Sequence, residues 1–227
     1  MRILAIIPAR GGSKGIPRKN IKLLKGKPLI QHAYEQAVNA NCFDRIILSS
    51  EDEEIIAVAK SFGLEVPFKR PDNLATDEAK SIEVVKHALN TLSTNGEEFD
   101  AVCILQPTSP LRISEDVELA VYKFVNEGLT GLISVRKVPD KFNPHWVFES
   151  NSSGCLKVST GEEEIISRRQ ELPDTFFRDG SIYLTRTDII LNEGSLYGNK
   201  LGYIDLSERD YINLDTELDW QILLNKI

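Results

Sequence analysis

Residues 9–20 (ARGGSKGIPRKN) carry four cationic side chains, Arg10, Lys14, Arg18 and Lys19, among three glycines, Gly11, Gly12 and Gly15. Glycine lets a backbone approach a ligand closely and aim N–H groups at an anion, and the flanking cations add the charge that holds it. A nucleoside triphosphate brings about four negative charges into one confined place, so four cations so close together suit a polyphosphate better than a single phosphate. The spacing is neither Gly-x-Gly-x-x-Gly nor Gly-x-x-x-x-Gly-Lys-Ser/Thr, which argues against a standard dinucleotide fold or a Walker loop. The competing reading is a solvated loop with incidental lysines.

The element ahead of this loop favours the binding reading. Residues 3–7 (ILAII) form an apolar run typical of a strand buried on both faces. A loop directly after such a strand lies at its carboxyl end, where open α/β sheets bind ligands. Residues 46–48 and 102–105 read as further buried strands. Val117, Ala120, Val121, Phe124 and Val125 form a helical stripe that starts behind a Ser114 cap and stops at Gly128. Weaker helical patterns cover 29–39, 53–62 and 82–92, and Leu218, Ile222 and Leu223 suggest a short closing helix behind Asp215. The alternation predicts one α/β domain over residues 1–227, doubly wound around a mainly parallel, Rossmann-like sheet. Residues 137–176 break the rhythm with turn formers and then charge, as an inserted arm or lid would.

Composition narrows the partner. With 41% hydrophobic and 27% charged residues the chain reads as an ordinary globular domain, and its net charge of −7 argues against nucleic acid or an anionic membrane as the main partner. That sum hides an asymmetry. Eight basic residues precede Glu35, the first acidic one, and the remaining 200 residues carry nineteen basic and thirty-four acidic side chains, a balance of −15. The N-terminal region is therefore built to meet negative charge. Cys42, Cys103 and Cys155 are odd in number and far apart, offering no disulfide framework or metal knuckle, and a cytoplasmic location fits them best. The apolar run at 3–7 is too short and too soon interrupted for an export signal, and no stretch approaches the ~20 apolar residues of a membrane span.

Pro8-Ala9-Arg10-Gly11-Gly12-Ser13-Lys14-Gly15-Ile16-Pro17-Arg18-Lys19-Asn20 resembles the signature of the acylneuraminate cytidylyltransferases, the CMP-sialic acid synthetases. Four further blocks follow in that family's order: Arg70-Pro71 with Leu74-Ala75-Thr76-Asp77 and Ser81, Gln106-Pro107-Thr108-Ser109-Pro110-Leu111-Arg112, Arg169-Gln170-Glu171-Leu172-Pro173, and Asp215-Thr216-Glu217-Leu218-Asp219. The resemblance thus extends over nearly the whole chain.

It implies a Rossmann-like nucleotidyltransferase with a small dimerisation arm at about 137–176, acting as a homodimer on CTP and a nonulosonic (sialic-type) acid. Arg10, Gly11, Gly12, Ser13, Lys14 and Lys19 would hold the triphosphate, with Asn20, Arg70 and Ser81 at the ribose or cytosine. Ser81 also reads as a helix cap. Gln106 would hydrogen-bond the sugar acid, and Arg112 reads as a structural ion-pair residue. Phe176, Phe177 and Tyr183 would line the sugar pocket or an interface, and Arg169 would act at the active site across the dimer. Lys19, Arg169 and Asp215 are thereby the catalytic candidates. The family usually has two acidic residues near the C-terminus, where this chain has Asn213 and Asp215. Alternation puts both side chains on one face, so Asp215 is the expected Mg²⁺ ligand and Asn213 offers a neutral oxygen or an outer-shell contact. Asp215 also reads as the closing helix's cap. Pro144-His145-Trp146 and Ser195-Leu196-Tyr197 point away from N-acetylneuraminate and toward a related nine-carbon acid, legionaminic or pseudaminic. The alternatives are a non-catalytic nucleotide sensor and a nucleotidyltransferase for another sugar acceptor.

Overall fold

The computed structural model describes residues 1–227. Along the chain lie β1 (Ile3–Pro8), the short antiparallel pair β2 (Leu23–Leu24) and β3 (Lys27–Pro28), α1 (Leu29–Asn39), β4 (Arg45–Ser49) and α2 (Glu53–Ser61). There follow α3 (Ser81–Thr94), β5 (Ala101–Ile104), α4 (Ser114–Asn126), β6 (Gly131–Lys137), the hairpin of β7 (Phe148–Ser150) and β8 (Leu156–Val158), β9 (Phe176–Arg186), β10 (Leu201–Asp205) and α5 (Glu217–Lys226). Six strands form the central sheet in the order β10-β6-β9-β5-β1-β4. β1 pairs in parallel with β4 and β5, and β10 with β6, while β9 alone runs antiparallel to its neighbours β5 and β6. The mainly parallel, doubly wound sheet expected from the alternation is present.

Two-residue periodicity divides β1 between two cores. Ile3, Ala5 and Ile7 pack with Ile30 and Ala33 of α1, Ile55 of α2, and Val117 and Phe124 of α4. Leu4 and Ile6 pack on the other face with Val85, Leu89 and Leu92 of α3. A third cluster joins Ile16 of the glycine loop and Leu24 and Leu29 beyond it to Ile212, Leu214, Trp220 and Leu223 near the C-terminus. That cluster fixes the loop against the last stretch of chain.

Two helix starts differ from the sequence reading. α4 has Ile113 at its cap position with no side-chain bond, and Ser114 is its first helical residue. α5 is capped by Thr216, whose hydroxyl accepts from the Asp219 N–H while the Asp219 carboxylate accepts from the Thr216 N–H. This reciprocal box takes over the capping role expected of Asp215 and leaves that carboxylate free. Gly128, with φ +57°, terminates α4 as expected.

Residues 137–176 run from the end of β6 to the start of β9 and include the β7–β8 hairpin outside the main sheet. Only Asn143 and Val158 are buried there. Trp146 Nε1 donates to Ile166 O at 2.6 Å, and Asn143 Nδ2 to Pro173 O at 3.0 Å, which closes the segment on itself. No helix is long and apolar enough to cross a membrane.

Trp220→Ala is expected to cost about 3–5 kcal/mol, the usual penalty for emptying a buried aromatic site. Urea unfolding followed by far-UV circular dichroism checks it; an unshifted midpoint would show that the third cluster does not hold the C-terminal helix.

Candidate functional site

A cavity of about 400 Å³ opens at the carboxyl ends of β1 and β5, bounded below by Pro8 and Ile104. The glycine loop forms one wall, contributing Arg10, Ser13, Lys14, Gly15, Lys19 and Asn20. Arg70, Ser81, Gln106 and Asp215, from four distant stretches of sequence, complete the set of sequence-predicted residues that meet there.

The loop is held by counter-charges and close approach. Gly11 N–H donates to Glu51 Oε1 at 2.7 Å, and a Cβ at Gly11 would lie 2.2 Å from Asp52 Oδ2. At Gly15 a Cβ would lie 1.9 Å from the Asp215 carbonyl oxygen, so glycine is required for the loop to touch the C-terminal segment. Gly12 has open space around it, and neither Gly11 nor Gly12 lines the cavity. The N–H groups of Lys14 and Gly15 make no hydrogen bond within the chain. Arg18 turns aside: in the left-handed region at φ 53°, it donates to Asp52 Oδ2 at 2.6 Å and Oδ1 at 3.0 Å and also pairs with Glu54. Asp52 is at the same time the N-cap of α2, accepting from Glu54 N and Ile55 N. Arg18 is therefore a brace, and Arg10, Lys14 and Lys19 are the cations that face the cavity.

Lys19 is the most enclosed of the three, with a side chain 13% exposed. Its Nζ donates to Leu214 O at 2.5 Å and lies 3.6 Å from Asp215 Oδ1. Burial pulls its pKa below the ordinary lysine value, and Asp215 pulls the other way. Asn20, nearly buried, donates to Arg10 O at 2.9 Å and so fixes the backbone from which Arg10 projects. Arg70 is buried beneath the cavity floor, with Nε donating to Ser49 Oγ at 3.0 Å, and burial lowers its pKa to about 10. Ser81 is the first residue of α3, makes no capping bond and faces the cavity.

Gln106 begins the loop after β5. Thr108 Oγ1 lies 3.4 Å from Gln106 Oε1, and Leu214 N donates to Thr108 O at 2.9 Å, tying this loop to the segment that carries Asp215. Arg112 is not the ion-pair residue expected from sequence. It is buried and donates to two carbonyls, Gln106 O at 3.2 Å and Ser181 O at 2.7 Å. Asn213 and Asp215 do share a face, since Asn213 Nδ2 donates to Asp215 Oδ2 at 2.5 Å, but only Asp215 reaches the cavity.

Four other expected residues lie outside the cavity lining in this chain. Arg169 pairs with Asp140 in the arm and is 78% exposed, rather than balancing residues 162–164. Phe176 packs against Tyr203 with ring centroids 5.1 Å apart, and Phe177 against Tyr211 at 6.3 Å. Tyr183 is buried in the α3-side core, because at that point β9 is an internal strand of the sheet. Sequence reasoning passed over Glu51 and Asp52, which anchor the loop, and gave no role to Asp77, a cavity residue paired with Arg10 and Lys14. The Asp-Glu-Glu start of α2 was a legible cap signal for Asp52; its partnership with Arg18 was not, being set by tertiary contact.

The Asp52 carboxylate is held down to about 2, first by the hydrogen bond from Arg18 and also by the α2 amides. Because its folded value lies below the unfolded one, it contributes stability that is present above about pH 4 and is lost as pH falls toward 2. The stability deficit of Asp52→Asn relative to the unsubstituted chain should be constant from pH 5 to 8 and shrink below pH 4. Denaturant unfolding over that range checks it, and a deficit independent of pH would contradict the ion pair.

A family model described as cytidylyltransferase matches residues 4–193. The chain is 34% identical to the pseudaminic acid cytidylyltransferase of Campylobacter jejuni over 229 aligned positions, covering 100% of this chain and 97% of that protein. It is 35% identical to the CMP-N,N'-diacetyllegionaminic acid synthase of Legionella pneumophila, covering 98% and 94%. Identity to N-acylneuraminate cytidylyltransferase A of Danio rerio is 30%, covering 99% of this chain and 50% of that protein. Among solved structures, CMP:2-keto-3-deoxy-manno-octonic acid synthetase complexed with CTP shares the fold, with a TM-score of 0.75 at 17% identity and 100% coverage of both chains. With a model spanning most of the sequence and relatives above 30% identity along all of it, the chain belongs to the cytidylyltransferase family.

Proposed function

We propose that the chain transfers CMP from CTP to the anomeric hydroxyl of a nine-carbon 2-keto-3-deoxy sugar acid and releases pyrophosphate. The observation that carries this reading is the convergence of Arg10, Lys14, Lys19, Gln106 and Asp215 on one cavity at the carboxyl edge of the sheet. Relatives named for pseudaminic and diacetyllegionaminic acids support a sialic-type acceptor of that kind.

In this mechanism Arg10, Lys14 and the free N–H groups of Lys14 and Gly15 bind the triphosphate. Lys19, fixed by the Leu214 carbonyl, offers a charge that water screens poorly, aimed where negative charge gathers as the α-phosphorus is attacked. Gln106 has no useful acid/base chemistry near neutral pH and orients the acceptor by hydrogen bonding. Ser81 and Arg70 bound the far side of the cavity, the side we assign to the nucleoside.

The donor set suits Mg²⁺ only in company with substrate. No group of three or more histidine, cysteine or acidic side chains comes together in the chain, and Asp215 presents one carboxylate, 66% exposed, at the cavity. That matches an ion that keeps several waters and binds through one or two carboxylates plus phosphate oxygens. Asp215 would hold it, with Asn213 orienting the carboxylate, and the bound ion would supply positive charge at the phosphates and acidify the attacking hydroxyl. Arg169, remote from the cavity within one chain, would act from the arm of a partner in a homodimer. The three free thiols accord with a cytoplasmic enzyme.

Pyrophosphate release from each of the four nucleoside triphosphates, with Mg²⁺ and a panel of nonulosonic and octulosonic acids, tests the proposal. CTP with pseudaminic or legionaminic acid is expected to react fastest; a preference for ATP, or no reaction with any acceptor, would sink it. Asp215→Ala should lower kcat by at least about a hundredfold while retaining part of the CTP affinity. Unchanged turnover in that variant removes Asp215 from the chemistry.

A further inference from the structure

Besides Asp215, the cavity lining contains one carboxylate, Asp77, and it sits on the cations assigned above to the triphosphate. Its Oδ1 lies 2.6 Å from Arg10 Nη2, and its Oδ2 pairs with Lys14 Nζ. The Asp77 side chain is 42% exposed and that of Lys14 81%, so water screens both pairs and each is weak.

The loop's counter-charges are thus of two kinds. Asp52 cannot release Arg18 without also uncapping α2. Asp77 holds up nothing else. Residues 76–80 make no other side-chain hydrogen bond or ion pair, and the neighbouring Ala75 carbonyl accepts only a 3.5 Å contact from Arg10. Arg10 and Lys14 cannot serve phosphate oxygens and the Asp77 carboxylate at once, because the like charges of the two anions would be forced into contact.

We propose that Asp77 is a placeholder for phosphate: its carboxylate leaves Arg10 and Lys14 when the triphosphate binds and returns to them as pyrophosphate departs. The inference rests on reading the cavity as a triphosphate site. It makes Asp77 a determinant of which anions bind, since a ligand must bring more charge than the tethered carboxylate it displaces. It also gives product release a competitor already in place, at the high effective concentration of an attached group.

The test titrates sodium pyrophosphate and, separately, CTP into the unsubstituted chain, Asp77→Asn, Lys14→Ala and the double variant, at fixed ionic strength. Thermal melting confirms that each is folded. Asp77→Asn is expected to bind pyrophosphate and CTP about three- to tenfold more tightly, the scale of two exposed ion pairs. Pyrophosphate should inhibit turnover of this variant at correspondingly lower concentration, and the gain should shrink where Lys14 is already alanine. Equal, weaker or absent pyrophosphate binding in Asp77→Asn overturns the exchange and makes Asp77 a fixed brace for Arg10 and Lys14. If the unsubstituted chain binds pyrophosphate but not CTP, the cytidine reading fails, and the exchange is then decided by the pyrophosphate titrations alone.

Discussion

Arg10, Lys14, Arg18 and Lys19 repel one another, and the site is organised around that repulsion. Two unit charges 4 Å apart near a protein surface interact by about 4 kcal/mol, so a concave loop with four cations needs counter-charge. Each cation receives it from a different part of the chain: Arg18 from the stretch after β4, Arg10 and Lys14 from the stretch before α3, and Lys19 from the stretch before α5. Pairing also sorts the cations by direction. Arg18 is turned sideways into Asp52, while the other three remain on the cavity side. The Gly11 and Gly15 contacts follow from the same requirement, since the loop must lie flat against Asp52 and the Asp215 backbone for those pairs to form.

The two halves of the site are joined through backbone carbonyls. Arg112 links Gln106 O to Ser181 O, and Arg136 donates to Arg209 O at 2.7 Å and Asp210 O at 3.2 Å, on the approach to Asp215. Asp179, wholly buried on β9, balances Arg136 at 3.3 Å. A guanidinium with donors in a fixed fork can span two carbonyls, which explains arginine at these enclosed positions. β9 thereby contributes to the site without reaching the cavity: it supplies the anchors against which the Gln106 loop is held.

The sheet and its helices were legible because burial imposes periodicity. The run at 3–7 and the stripe from Val117 to Val125 state which faces are covered, and α1 has the limits its pattern gives. The loop's charge and glycines were legible for a similar reason, being close together in sequence. Partners were not. Whether Arg18 or Arg10 faces a ligand depends on Asp52 and Asp77, dozens of residues away. Cap choice at α5 turned on a competition between neighbours: Asp215 and Thr216 both suit the position, and the reciprocal bonds to Asp219 select Thr216. Phe176, Phe177 and Tyr183 look like pocket residues in a list of aromatics, yet the internal place of β9 sends Tyr183 into the core.

The approach of Gly15 to the Asp215 carbonyl spans two hundred residues, and it bears on how activity arises during synthesis. β1 and the glycine loop are among the first segments a ribosome releases, and the wall they fold against, from Ile212 to Leu223, is among the last. A nascent chain stopped before Ile212 would hold most of the sheet, but Lys19 would lack both its carbonyl acceptor and the Asp215 carboxylate. Competence is therefore gained in one step with the final turns of translation, and unfinished chains remain catalytically silent.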